Sequence, residues 1–143
     1  MFYTNNRNQL RQFYYDTWQK HKTHQALNDL EKQILAIMLE HPEYQNTFEN
    51  NATTSTQDFS ETLGQANPFM HMGLHLAVRD QIALDQPPGI QQLFQQQLNK
   101  GQKPHDLEHQ IMDILAEQLW QDTQAQKPLD MANYLENLKK TLI

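Results

Sequence analysis

The chain contains no cysteine. Disulfides, thiolate zinc sites and a cysteine nucleophile are excluded together. That composition fits a reducing compartment. Glycine is also scarce, four in 143 residues. A glycine-rich phosphate loop or a dinucleotide fingerprint is hard to build from so few. No apolar run approaches the roughly twenty residues that span a bilayer, so no membrane partner is expected. The opening stretch, MFYTNNRNQLRQ, lacks the apolar core of a secretory signal, and a cytoplasmic location is expected. Positive charge is sparse too. Eleven Lys and Arg stand against seventeen Asp and Glu, a formal net charge of −6. The basic clusters KHKTH and NLKK are short. Nucleic acid is not expected as a partner, because its affinity rests on neutralising phosphates.

What is present is helical periodicity. The length suits one domain and allows a real core. A first helix is predicted over about 5–20, with Leu10, Phe13, Tyr14, Thr17 and Trp18 on one side. A second is predicted over about 25–41, with the stripe Leu27, Leu30, Ile34, Ile37 and Met38, ended by Pro42. The stretch over about 43–66, rich in Asn, Thr and Ser, reads as a long loop with at most a short turn. A third helix opens at Asn67 and Pro68, a good N-cap and first-turn pair, and runs to about Asp85. Further helices are predicted over about 90–99, 104–124 and 131–141, punctuated by Gly101, Pro104 and Asp130. The Gln-rich QQLFQQQLNK keeps helical spacing through Ile90, Leu93, Phe94 and Leu98, so it reads as a solvated face. No strand alternation and no repeat is seen. The expected fold is an all-α, single-domain bundle of five to six helices over 1–143.

Five of the seven histidines fall on core-facing arcs. On a helical wheel of the 104–124 segment, Asp106, Gln110, Asp113, Glu117 and Gln121 make one polar stripe. Leu107, Ile111, Met112, Ile114, Leu115, Leu119 and Trp120 fill the other side, and His105, Glu108 and His109 fall with them. A buried carboxylate needs a counter-charge, a proton or a metal. Residues at i, i+3 and i+4 project to one patch, so two imidazoles can chelate an ion beside that carboxylate. His71 and His75 form a second i, i+4 pair, in the arc of Val78 and Ile82. Gly73 between them either admits a close neighbour or is simply tolerated. His41 continues the stripe of the second helix, whereas His21 and His24 look like surface residues.

One His-x-x-x-His pair is a weak signal, more often core or surface histidine than ligand. Two such pairs, one of them joined by a buried glutamate, are a stronger one. The candidate metal ligands are His71, His75, His105 and His109, with His41 and Glu108 as further ligands. Zinc is expected first, iron or manganese next. Glu108 has two functional readings, ligand or general base on metal-bound water. Its bland reading is a buried carboxylate paired with Arg79 or a histidine. For His41 the bland reading is a ring hydrogen-bonded to a carbonyl at a helix end. Met70, Met72 and Met112 read as core filling rather than copper ligands. HDLEH matches the H-x-x-E-H pattern of inverted zincins, but those peptidases are much larger and draw a third ligand from far downstream. A likeness to the HD-domain phosphohydrolases at His105-Asp106 fails because Asp106 lies in the polar stripe.

The blocks NPFMHMGLHLAVRDQ and HDLEHQIMDILAEQLW, with RQFYYDTWQK and LEHPEY, make the chain resemble a family of small bacterial proteins classed as domain of unknown function 1841. The resemblance covers nearly the whole chain and implies that His71, His75, His105, Glu108 and His109 are motif positions. It implies no assigned activity. Gln45 departs from the family pattern, in which a histidine often follows HPEY, and so does the Asn- and Thr-rich 46–66 stretch. Two functions remain open at this point. One is a metal site joining the two histidine helices, hydrolytic if a position stays open to water. The other is a metal-free helical interaction module with core or pH-responsive histidines. A protein partner or a homo-oligomer fits either.

Overall fold

The computed structural model describes residues 7–49 and 68–142. The described residues form seven α-helices and no strand: α1 (Arg7–Lys22), α2 (Asp29–Leu39), α3 (Gln45–Glu49), α4 (Pro68–Leu84), α5 (Ile90–Asn99), α6 (Pro104–Gln124) and α7 (Met131–Leu142). The all-α class is as expected, but the count is seven rather than five to six. The extra helix, α3, follows a 3-10 turn at Pro42–Tyr44, inside the stretch expected to be loop. Its five residues are too few to show a helical period. A buried Phe48, packed against Tyr14 and Trp18, anchors it. The rest of the expected loop, and the Asn67 cap, lie outside the described residues.

The start of α2 lies later than the hydrophobic spacing suggests, for a local chemical reason. Asn28 caps the helix through Glu31 N–H, and the Glu31 carboxylate accepts from the Asn28 N–H in return. This reciprocal capping box satisfies two otherwise orphaned donors. Four helices end the same way. A residue at positive φ follows the helix, and the next N–H reaches back five residues: Gln25 to Lys20, Gln86 to Gln81, Gln102 to Gln97, and Lys127 to Asp122. Gly101 fills the left-handed position once, while His24, Asp85 and Gln126 fill it elsewhere. This helix-terminating motif favours glycine, so the three non-glycine ends carry little sequence signal.

The chain divides into two compact units, Met1–Leu76 and Ala77–Ile143, with the division inside α4. In the first unit α1 packs on α2 and α3. Its core is Tyr14, Tyr15, Trp18, Ile34, Ile37, Met38, Phe48, Phe69, Met72 and Leu76. In the second unit α5, α6 and α7 pack on one another, around Ile90, Leu107, Ile111, Leu115, Tyr134 and Leu138. A buried polar network ties α6 to α7. The Gln118 amide donates to Asp122, Asn133 donates to Gln118, and the Asp130 N–H donates to Asp122. The polar stripe of α6 is exposed along its whole length, as its spacing requires. Trp120 is the exception on the other side, 61% exposed instead of packed.

Candidate metal centre

In the first unit, His41, His71 and His75 come together. Each offers a ring nitrogen, and these atoms lie within 4.8 Å of one another. His71 and His75 sit one turn apart on α4, so they share a face. His41 follows the last turn of α2, where the chain bends into the Pro42–Tyr44 turn. His41 and His75 are fully buried and His71 is half-buried.

The hydrogen bonds orient the His41 ring. Its Nδ1 lies 2.7 Å from the Ile37 carbonyl oxygen. A carbonyl can only accept, so Nδ1 carries a proton and donates. In the neutral ring Nε2 then presents its lone pair. That atom lies 3.0 Å from Nε2 of His71. Tyr44 stacks on His41 with centroids 5.5 Å apart and planes 8° from parallel, and it stands edge-on to His71. The His75 ring is nearly perpendicular to that of His41 at 5.2 Å. Ring orientation by a backbone carbonyl on the far nitrogen is what metal-ligating histidines commonly have. Two imidazole nitrogens on one tetrahedral zinc stand about 3.3 Å apart, given Zn–N bonds of about 2.0–2.1 Å. The observed 3.0 Å is within a few tenths of that spacing.

In the second unit, His105, Glu108 and His109 occupy the first two turns of α6. The His105 and His109 ring centroids are 4.2 Å apart. His105 and Glu108 offer donor atoms within 4.8 Å of each other. Glu108 is buried, at 8% exposure, as its wheel position requires. Its carboxylate is gripped by one guanidinium: Arg79 Nε donates to Oε2 at 3.0 Å and Nη2 to Oε1 at 3.2 Å. This two-pronged pairing is the strong geometry for arginine and carboxylate. The charge demanded by a buried Glu108 is therefore met by Arg79.

Other sequence readings resolve simply. His24 is exposed and His21 is half-buried beside Trp18. Met72 and Met112 are buried core residues, while Met70 is 57% exposed. A Cβ added at Gly73 meets nothing within 4 Å among the described residues, so this glycine is tolerated rather than required. One feature escaped the sequence analysis, and one was already among its alternatives. The Tyr44 stack depends on a turn whose period is too short to register. The place of Arg79 was legible, since His71, His75 and Arg79 are spaced by four along α4.

The family described as domain of unknown function (DUF1841) matches residues 6–140, nearly the whole chain. The chain belongs to this family. Membership of DUF1841 brings both histidine blocks within one family domain and assigns them no activity. No curated protein and no solved structure matches the chain. No helix among the described residues is long and apolar enough to cross a membrane.

Proposed function

We propose that this DUF1841 protein binds a divalent metal ion through the imidazoles of His41, His71 and His75 in the first unit, with His105 and His109 in the second unit as a separate candidate pair. Zinc is the first choice, because imidazole-rich sites without thiolate suit it, and iron or manganese is the next. One observation carries the reading. His41 has its Nδ1 proton committed to the Ile37 carbonyl, and its Nε2 faces Nε2 of His71 at 3.0 Å, with His75 alongside. With its Nδ1 protonated, His41 accepts from the His71 Nε2–H, and loss of that one proton would open both nitrogens to a shared ion. The three imidazoles of the first unit can hold one ion. Three leave a position for water, whose pKa zinc brings to about 7, and hydrolysis is then the class of reaction the centre would serve. Glu108, the candidate base of the sequence analysis, belongs to the second unit and is held there by Arg79.

Elemental mass spectrometry on protein purified without a tag or nickel column tests the proposal. About one equivalent of zinc, iron or manganese is expected in wild type, and none in His71→Ala/His75→Ala. A chelator should lower Tm, since an ion bound only to the native state at a hundred times its Kd contributes about 2.7 kcal/mol. Wild type without metal after reconstitution, and with an unchanged Tm, would overturn the reading. A metal-free interaction module then stands. It is favoured by the fact that the His41–His71 contact and the Arg79–Glu108 pair are each complete with protein groups alone.

A further inference from the structure

Glu108 is the one carboxylate in the H-x-x-E-H block that is buried, and both its oxygens are held by Arg79. The arginine comes from α4, the helix that bears His71 and His75 at the same four-residue spacing. Donor atoms of His105 and Glu108 lie within 4.8 Å of each other, close enough for one ion to take both if the carboxylate were released. We infer that Arg79 withholds Glu108 from an ion held by His105 and His109 and thereby sets which metal this pair prefers. This rests on the metal reading above and deepens it.

The physical reason is a competition for one anion. A carboxylate is a hard oxygen donor and draws manganese and iron, whereas neutral imidazoles suit zinc. Arg79 satisfies the Glu108 charge with two parallel hydrogen bonds, and it stays protonated at any pH the protein meets. An ion must displace a guanidinium to reach the carboxylate. While it does not, the ion finds only neutral nitrogen donors, and the oxygen-preferring metals lose their ligand. Lysine keeps the charge but lacks the fork, so it would hold Glu108 less firmly. Arg79 is in these terms a positioning residue, acting through Glu108.

Zinc and manganese chlorides titrated against a chromophoric chelator supply the test, with full-length wild type, Glu108→Gln, Arg79→Lys, Arg79→Met and Arg79→Met/Glu108→Gln. With Glu108 outside the coordination sphere, Glu108→Gln should leave both affinities within about threefold, less than the loss of a ligand or a ligand's partner brings. Arg79→Met should raise manganese affinity relative to zinc by about tenfold or more, Arg79→Lys by less, and the double variant should return to the wild-type ratio. A merely structural arginine would lower both affinities together and leave the ratio alone. Zinc binding weakened by about tenfold or more in Glu108→Gln overturns the inference, because the carboxylate is then already a ligand. An unchanged ratio in Arg79→Met, or in Arg79→Lys if the methionine variant does not fold, overturns it as well. Wild type that binds neither ion is a different result, and it removes the metal reading itself.

Discussion

Tyr14 and Tyr134 are both fully buried, and burial raises the pKa of each phenol. Their hydroxyls fare differently. Tyr134 donates to Gln81 Oε1 at 2.6 Å. The Tyr14 hydroxyl has no hydrogen-bond partner among the described residues and sits in an aromatic cluster with Phe13, Phe48 and Phe69. A buried hydroxyl that makes no hydrogen bond forfeits its hydration without return. Tyr14→Phe should therefore be neutral or stabilising. Tyr134→Phe strands a buried Gln81 and should cost about 1–2 kcal/mol. Urea unfolding of the two variants checks the contrast, and a Tyr14→Phe loss as large as the Tyr134→Phe loss would contradict it. The same accounting explains Glu108. The wheel placed it among apolar residues and so demanded a partner, and Arg79 supplies one.

Helix ends are decided by groups that periodicity does not record. The Asn28–Glu31 capping box starts α2 where the apolar stripe alone would start it earlier. Asn28→Ala removes one arm of the box and should cost about 1 kcal/mol. At the end of α6, Gln126 holds φ at 56° and is exposed. An L side chain is strained there, and glycine is not. Gln126→Gly should stabilise by about 0.5–1 kcal/mol, against the usual penalty of introducing glycine. Thermal or denaturant melts measure both, and a destabilised Gln126→Gly would show that its side chain matters more than its backbone. Helices α5 and α6 have the limits the sequence predicts, because Gly101 and Pro104 punctuate them in the expected way. The short α3 was illegible, since one turn of helix carries no repeat.

At the scale of the whole molecule, Glu31, Asp122 and Glu49 are among the described carboxylates that shape the response to acid. Glu31 is held below its ordinary pKa by the Asn28 N–H first and by Lys20 second. Asp122 is held low first by the Asp130 N–H and then by the Gln118 amide, with Lys127 adding its charge. Glu49 is held low by Lys22 and Trp18. Each has a folded pKa below its unfolded one, so the unfolded chain takes up protons first as the pH falls. The stability these groups contribute is present above the ordinary carboxylate range, about pH 4, and is lost as the pH falls through the folded values. The share of Tm that these carboxylates carry should be flat near neutrality and fall below about pH 4. Asp122→Asn should flatten that fall. Glu49 and its partner Lys22 are both exposed, so its share should fade with added salt. A Tm that falls equally steeply in Asp122→Asn would assign the acid response elsewhere.

The all-α class, the long helices and the inward face of α6 were determined by the sequence alone, because helical periodicity is a local property of consecutive residues. So was the burial of Glu108, and with it the need for a counter-charge. The division of the chain at Leu76 and Ala77 was decided by tertiary contacts. So was the partner each polar group took. His41 looked like a ring tied to a carbonyl at a helix end, and it is one. That bond leaves its other nitrogen facing His71, thirty residues away. Arg79 and Glu108 are joined across a comparable gap. Spacing along a helix says which face a side chain occupies. Which neighbour it meets there depends on how distant segments pack, because hydrogen bonds and ion pairs form through space and not along the chain.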